Sequence, residues 1–143
     1  MTKGEYKDIY NVVGVAMEVY NTLGRGMAEP IYQECMAREF KRRGMIAERE
    51  KPLYTYYKDE LLDKLYFADF YYNNIVIELK SVEEINADHR AQLFNYMRIS
   101  KQQRGILFNF GETSLHTERY LYLASTDNFV LLNQDNYRDY ITD

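Results

Sequence analysis

The stretch Leu65-Tyr66-Phe67-Ala68-Asp69-Phe70-Tyr71-Tyr72-Asn73-Asn74-Ile75-Val76-Ile77-Glu78-Leu79-Lys80 reads as two β-strands joined by a tight turn. Aromatic and β-branched residues fill both halves. Asn73-Asn74 suits a two-residue hairpin turn, because asparagine tolerates positive φ. With that turn Tyr72 faces Ile75, and stepping back sets Asp69 opposite Glu78. Directly opposed residues have Cβ atoms about 4.5–5.5 Å apart. Side chains alternate with period two, so Lys80 shares the face of Glu78. The other face, with Ala68, Phe70, Ile75, Ile77 and Leu79, is expected to be core.

Two carboxylates side by side would repel, and like charges directly opposed destabilise a sheet. Lys80 alone could compensate, as in a surface charge cluster. A divalent cation bridging the pair is the functional alternative. Magnesium takes one or two carboxylates, several waters and phosphate oxygens. Such an ion polarises a phosphoryl group and supplies a hydroxide nucleophile. Lys80 would then orient the nucleophile or stabilise developing charge.

Outward from the hairpin, residues 5–23 read as a helix, with Tyr6, Ile9, Val13, Ala16, Met17 and Tyr20 at helical spacing. Gly24-Arg25-Gly26 stops it. Pro30 fits the first turn of a second helix, with Ile31, Cys35 and Phe40 near one face and Gly44 as terminator. Pro52 to Tyr57 is a strand, and Lys58-Asp59-Glu60 is the turn before Leu61–Tyr72. A helix from about Asp88 to Ile99 and a strand from Gly105 to Phe110 follow the hairpin. Arg119–Ala124 and Phe129–Asn133 form two more strands around Ser125–Asn128, and a last helical turn or two begins at Gln134. This order predicts an α/β fold with a mixed central sheet flanked by helices.

The 143 residues suit one domain, 1–143, and the 46% hydrophobic and 28% charged composition excludes disorder. No apolar run approaches the roughly 20 residues of a membrane span. The N-terminus shows no signal peptide, which predicts a cytoplasmic protein. The single cysteine, Cys35, excludes an internal disulfide framework and multi-cysteine metal sites, and reads as a buried structural thiol. A net charge of -4 means that any nucleic-acid binding must be local or cation-assisted.

Several stretches together resemble one family. Ala68-Asp69, eight intervening residues, then Glu78-Leu79-Lys80 looks like the D…(D/E)xK signature of the PD-(D/E)XK nucleases. Gly26-Met27-Ala28-Glu29-Pro30-Ile31-Tyr32 resembles the motif that names the bacterial GxxExxY family of that superfamily. His89-Arg90-Ala91-Gln92 followed by Tyr96 resembles its HxxQ and QxxxY segment. Gly105-Ile106-Leu107-Phe108-Asn109-Phe110 resembles its G-[IL]-L-x-N-F strand. The motifs occur in order over a core of about 9–115. Residues from about 118 to 143 match no motif and form an extension, read as an edge hairpin or contact surface.

The resemblance implies a restriction-endonuclease-like fold and a Mg2+-dependent nuclease, with Mn2+ as a substitute and DNA as substrate in preference to RNA. Asp69 and Glu78 would be metal ligands, the Leu79 carbonyl a third, and Lys80 the catalytic lysine. Glu29 would coordinate the metal or hold a water on it, although at a helix start it could simply face the helix dipole. Gln92 would position the site or the nucleic-acid backbone. Tyr32 and Tyr96 would be packing residues with hydroxyls reaching the site. His89 would sit behind the metal or contact phosphate rather than bind zinc, since His116 has no usable spacing with it. Arg38, Lys41 and Arg42, with Arg43, are either a solvated helix face or phosphate contacts, and Lys101 with Arg104 forms a second basic patch. The rival reading is a catalytically silent accessory module that acts with a helicase-type partner. A third reading is a small structural domain whose C-terminal hairpin mediates self-association, as in a homodimer. Repair, defence and mobile-element maintenance are the implied settings.

Overall fold

The computed structural model describes residues 1–143. Its elements follow in the expected order. Helix α1 (Lys3–Leu23) starts at a capping box: Thr2 accepts from the Glu5 N–H and the Glu5 carboxylate accepts from the Thr2 N–H. Helix α2 (Glu29–Arg42) has Pro30 in its first turn, where the missing N–H costs nothing. Strands β1 (Glu48–Tyr57), β2 (Glu60–Tyr72) and β3 (Ile75–Lys80) come next, then helix α3 (Ala87–Ser100). Strands β4 (Arg104–Asn109), β5 (His116–Leu123) and β6 (Asn128–Leu132) complete the sheet, and a 3-10 turn (Tyr137–Tyr140) ends the chain. No helix is long and apolar enough to cross a membrane.

All six strands form one sheet in chain order. Every neighbouring pair is antiparallel except β3 and β4, which are parallel. A parallel pair needs a crossover, and α3 supplies it. The chain is therefore α/β with a mixed sheet, as predicted. Residues beyond 118 complete β5 and add β6 as an edge hairpin. The 3-10 turn packs back on α1 through stacked rings of Tyr6 and Tyr137, 4.3 Å apart.

Two cores lie on the two faces of the sheet. Under α1 and α2 the cluster includes Ile9, Val12, Val19, Tyr32, Met36, Phe40, Phe70, Ile77, Leu79 and Phe108. Under α3 it includes Leu53, Ala68, Val76, Leu93, Tyr96, Met97 and Leu107. Three expectations about these faces need correction. On α1 the buried stripe is Ile9, Val12, Val15, Ala16 and Val19, while Met17 is 42% exposed. On α2 the buried residues are Tyr32, Met36 and Phe40, spaced by four; Ile31 is 47% exposed and Cys35 only half-buried. Tyr32 can be buried because its hydroxyl finds backbone partners, which the pattern of apolar residues does not register. Ala68 lies on the α3 face, opposite Phe70, for a reason given below.

The loops after β3 and β4 are clamped together. The Lys80 carbonyl accepts from the Phe110 N–H at 2.8 Å. The fully buried Asn109 side chain accepts from the Val82 and Gly111 N–H groups and donates to the Val82 carbonyl. A Cβ at Gly111 would overlap the Val82 backbone, which has no rotamer to yield. Helix α3 is pinned to β5 by Arg90, whose guanidinium donates to both Glu118 oxygens at 2.8 Å. Burial would raise the Glu118 pKa, but bonds from Arg90, Tyr120 and His116 hold it down at about 2. We expect Gly111→Ala to cost about 2–3 kcal/mol, a fall of roughly 5–10 °C in Tm. Thermal denaturation followed by circular dichroism checks this; an unchanged melt would show that the 80–82 and 109–111 segments are not rigidly clamped.

Candidate active site

The hairpin keeps the register that its turn dictates. Tyr72 pairs with Ile75, Tyr71 with Val76 and Phe70 with Ile77, around Asn73 (φ 44) and Asn74 (φ 66). Arg104 fixes this turn. Contrary to the expectation of a basic surface patch, its side chain is buried, donating to the Asn73 and Glu5 carbonyls and to Asp8.

One step further along the hairpin the ladder stops, and side chains replace it. The Asp69 N–H donates to Glu78 Oε1 at 3.0 Å, and the Leu79 N–H donates to Asp69 Oδ2 at 2.8 Å. The two carboxyl groups are also neighbours, each feeling the other. The pair is thus adjacent but is not a regular cross-strand pair. Strand alternation breaks at this point. Residues two apart on a regular strand share a face, yet Ala68 packs under α3 and Phe70 under α1 and α2. The break is shared with β1. There Glu50, bracketed by the pairs Arg49–Phe70 and Lys51–Ala68, has φ 53. This is why Ala68 leaves the face assigned to it from the sequence.

Burial sets the charge state of both acids, and Glu78 is further affected by its neighbour. Glu78, only 3% exposed, has its pKa pushed well above the usual carboxylate range, first by burial and then by Asp69. Asp69 is also raised, by burial, against the pull of its bond from the Leu79 N–H. Lys80 lies beside them, its ammonium donating to Gln92 Oε1 at 2.8 Å. Gln92 Nε2 in turn donates to the Tyr96 hydroxyl at 3.1 Å. Gln92 and Tyr96 are four apart on α3 and share a helix face, so one helix aims the lysine. The Tyr96 ring is held by Tyr66, 5.6 Å away.

Glu29 comes from the other side, on the first residue of α2. Gly26, at φ 84, turns the incoming loop, and its N–H donates to the Phe110 carbonyl. The Tyr32 hydroxyl accepts from the Met27 N–H and donates to the Gly24 carbonyl, with its ring stacked on Phe110 at 4.3 Å. Tyr32 is fully buried, so it braces the loop rather than reaching the carboxylates. No side chain caps α2. The Glu29 pKa is raised, first by partial burial, with Lys80 and His89 lowering it and Asp69 raising it further. Glu29 therefore shares one electrostatic neighbourhood with Asp69, Lys80 and His89. A cleft of about 350 Å³ is lined by Glu29, Pro30, Gln33, Glu50, Asp69 and Leu79.

Two of these residues were not among the candidates read from the sequence. Gln33 Nε2 donates to Glu50 Oε1 at 2.7 Å and to Asp69 Oδ1 at 3.1 Å, while its own Oε1 accepts from Arg49 Nε at 2.8 Å. The Arg49 donor fixes which way the amide points. Gln33 was findable, since it lies one helical turn from Glu29. Glu50 was not. Counting back from the Tyr57–Glu60 pair would set it opposite Phe67, but a register shift between Tyr54 and Tyr56 moves it to the level of Asp69.

Other candidates fall elsewhere. His89 closes the α3 capping box: its N–H donates to Asn86 Oδ1 and its Nδ1 accepts from the Asn86 N–H. A neutral His89 therefore carries its proton on Nε2. Arg38 is exposed and paired with Glu34. At 1.5 Å per residue, Lys41 and Arg42 stand about 18–20 Å along the α2 axis from Glu29. The structure does not bring these three cations to the cleft.

No three or more His, Cys, Asp or Glu side chains converge into a ready cation cage. The donor set is instead a pair of hard carboxylates, Glu78 buried and Asp69 half-buried at the cleft, with Glu29 nearby. This fits an ion that takes one or two carboxylates and completes its shell with water. The family model describing the PD-(D/E)XK nuclease superfamily matches residues 6–122. The crystal structure of SSO0001 is similar in fold, with a TM-score of 0.52 and 19% sequence identity. The match covers 82% of this chain and 58% of that one, so the chain spans less than two thirds of SSO0001. No curated protein matches the sequence.

A raised carboxylate pKa makes folding favour the protonated form. The Glu78 contribution to stability is therefore fully present below its unfolded pKa and is lost as pH rises toward the folded value. We expect Glu78→Gln, which keeps the acceptor for the Asp69 N–H, to melt higher than wild type at pH 7.5 without divalent ions. The difference should shrink toward pH 4. Melting curves at both values decide it, and equal melting at pH 7.5 would mean that Glu78 is not burdened by its burial.

Proposed function

Because the chain belongs to the PD-(D/E)XK nuclease superfamily, we propose that it is a divalent-cation-dependent nuclease hydrolysing phosphodiester bonds, of the GxxExxY kind. The observation that carries this reading is the pairing of half-buried Asp69 with buried Glu78, with Lys80 held beside them by Gln92. Two acids forced together away from water gain most from a cation, and Mg2+ is the ion we favour, with Mn2+ as a substitute. Asp69 and Glu78 would hold it, with the Leu79 carbonyl as a third oxygen and Glu29 at the rim. When bound, the ion supplies charge for the scissile phosphate and acidifies a water.

The rest of the chemistry belongs to the side chains. Lys80 stabilises negative charge developing on the phosphate or steers the attacking water, and Gln92 and Tyr96 fix its ammonium in advance. Gln33 fixes Asp69 in the same way. His89 offers an Nε2–H donor to a phosphate oxygen. Glu29 accepts a hydrogen bond from water at the cleft mouth. DNA is the substrate we favour over RNA.

A second reading is a nucleic-acid-binding module that cuts only with a partner of helicase type. It is favoured by the placement of Arg38, Lys41 and Arg42 away from the cleft, which leaves few cations to hold a polyanion there.

Calorimetric titration of Mn2+, combined with cleavage assays on labelled single- and double-stranded DNA and RNA, separates the two. We expect Asp69→Asn/Glu78→Gln to lose both ion binding and cleavage. Lys80→Met should cut the rate about 10²–10³-fold while leaving ion affinity within about twofold. Ion binding without cleavage in the wild type would favour the accessory module, and cleavage surviving the double substitution would remove the proposed site.

A further inference from the structure

Every arginine whose side chain hydrogen-bonds within this chain meets an acid, with one exception. Arg43 meets Glu39, Arg90 meets Glu118, Arg98 meets Asp127 and Arg104 meets Asp8. Arg49 donates only to a neutral amide, from its Nε to Gln33 Oε1 at 2.8 Å. It does so with an acid on either side of it in sequence. Those two acids are engaged elsewhere, Glu48 with Lys51 Nζ at 2.9 Å and Glu50 with Gln33 Nε2 at 2.7 Å. A guanidinium carries five N–H donors in a fixed fork. Arg49 is exposed and spends one of them, so its Nη1 and Nη2 have no partner in the chain.

The backbone turns this cation toward the cleft. On a regular strand Arg49 and Lys51 would share a face. Opposed residues share a face, so Lys51 goes with Ala68 toward α3, whereas Arg49 goes with Phe70 toward α2. The reversal falls at Glu50, whose φ of 53 is a left-handed conformation that a residue with a Cβ adopts only at a cost. The bond from Gln33 holds the Glu50 side chain there. The strained residue thus delivers Arg49 to the helix that carries Glu29 and Gln33.

Gln33 ties the cation to the carboxylates. Its Nε2 also donates to Asp69 Oδ1 at 3.1 Å. Through that one amide, Arg49 Nε and Asp69 Oδ1 are at most about 8.5 Å apart. At a rise of about 3.4 Å per nucleotide, this separation reaches a phosphate one or two nucleotides from Asp69. Lys80 and Gln92 approach the acids from the α3 face, and Arg49 stands on the α2 face. A strand laid across Asp69 and Glu78 therefore meets a cation on each side. A planar fork with both amino groups free matches the paired oxygens of a phosphate.

We propose that Arg49 is a substrate-binding residue that grips a nucleic-acid phosphate flanking the scissile one. This rests on the reading of Asp69 and Glu78 as the site of phosphodiester hydrolysis. Arg49 supplies the cation that Arg38, Lys41 and Arg42 do not bring to the cleft. Gln33 holds the guanidinium and Asp69 in one register, so the gripped phosphate fixes where its neighbour falls against the carboxylates.

Fluorescence anisotropy of labelled single-stranded and duplex DNA and RNA oligonucleotides, with Ca2+ as the hard cation, reads binding without relying on cleavage. Mn2+ calorimetry and cleavage assays in Mn2+ run alongside. We expect Arg49→Ala to raise the oligonucleotide Kd about tenfold at low salt and to reduce the salt slope of log K by about one. Mn2+ affinity should stay within about twofold of wild type. Arg49→Lys should restore the slope and only part of the affinity, because an ammonium is a point charge without the fork. Unchanged melting verifies the fold of both variants. An unchanged Kd and slope in Arg49→Ala would overturn the proposal. So would a loss of Mn2+ affinity as large as the loss of oligonucleotide affinity, which would make Arg49 a prop for Gln33 alone, and so would a wild type that binds none of these probes. A wild type that shows the Arg49 effect on binding but cuts nothing would keep Arg49 as the phosphate contact and remove the reading of hydrolysis.

Discussion

The exchange of hydrogen bonds between Asp69 and the Glu78–Leu79 segment is the constraint around which the rest of the molecule is arranged. At the end of the β2–β3 hairpin, a carboxylate from each strand takes the place of a backbone acceptor on the other. The strands can then part without leaving N–H groups orphaned, which burial would penalise heavily. Parting opens the cleft, and it also commits Glu78 to a buried and Asp69 to a half-buried position where neither ionises easily. The surrounding elements read as responses to that cost.

On one side α3 brings Gln92 to Lys80, and its own position is locked by the Arg90–Glu118 pair. On the other, α2 brings Gln33 to Asp69 and Glu29 to the rim. The start of α2 is set by a braced loop, in which Tyr32, Phe110 and Gly26 hold one another. Several motif residues therefore do no chemistry of their own. Tyr32 and Asn109 tie backbone segments together so that Glu29 and Lys80 arrive at fixed distances. Preorganisation of this kind keeps an active site from having to order itself during the reaction.

Much of this was legible along the chain. The element order and the α/β class follow from periodicity and from Gly, Pro and Asn signals, and the observed boundaries differ by a few residues at most. The weaker readings were of faces. On α2 the stripe chosen from Ile31, Cys35 and Phe40 gave way to Tyr32, Met36 and Phe40, because a buried hydroxyl with two backbone partners counts as core. Arg104 looked like surface charge and is instead a buried clamp on the Asn73 turn. In both cases a polar group is satisfied by backbone distant in sequence, which a local pattern does not contain.

The sequence by itself determined what a short-range rule can determine. Two asparagines able to take positive φ fix a two-residue turn, that turn fixes the pairing from Tyr72–Ile75 to Phe70–Ile77, and Asp69 must then arrive beside Glu78. The tertiary structure decided what happens past that point. It decided that alternation breaks at Asp69, that extra residues in β2 opposite Thr55 shift the register and carry Glu50 to the same level, and that Gln33 joins the two. A strand's alternation is local only while its ladder is regular. Once the ladder opens, the position of each side chain is set by hydrogen-bond partners on other elements, and those are brought together only by the packing of α2 and α3 against the two faces of the sheet.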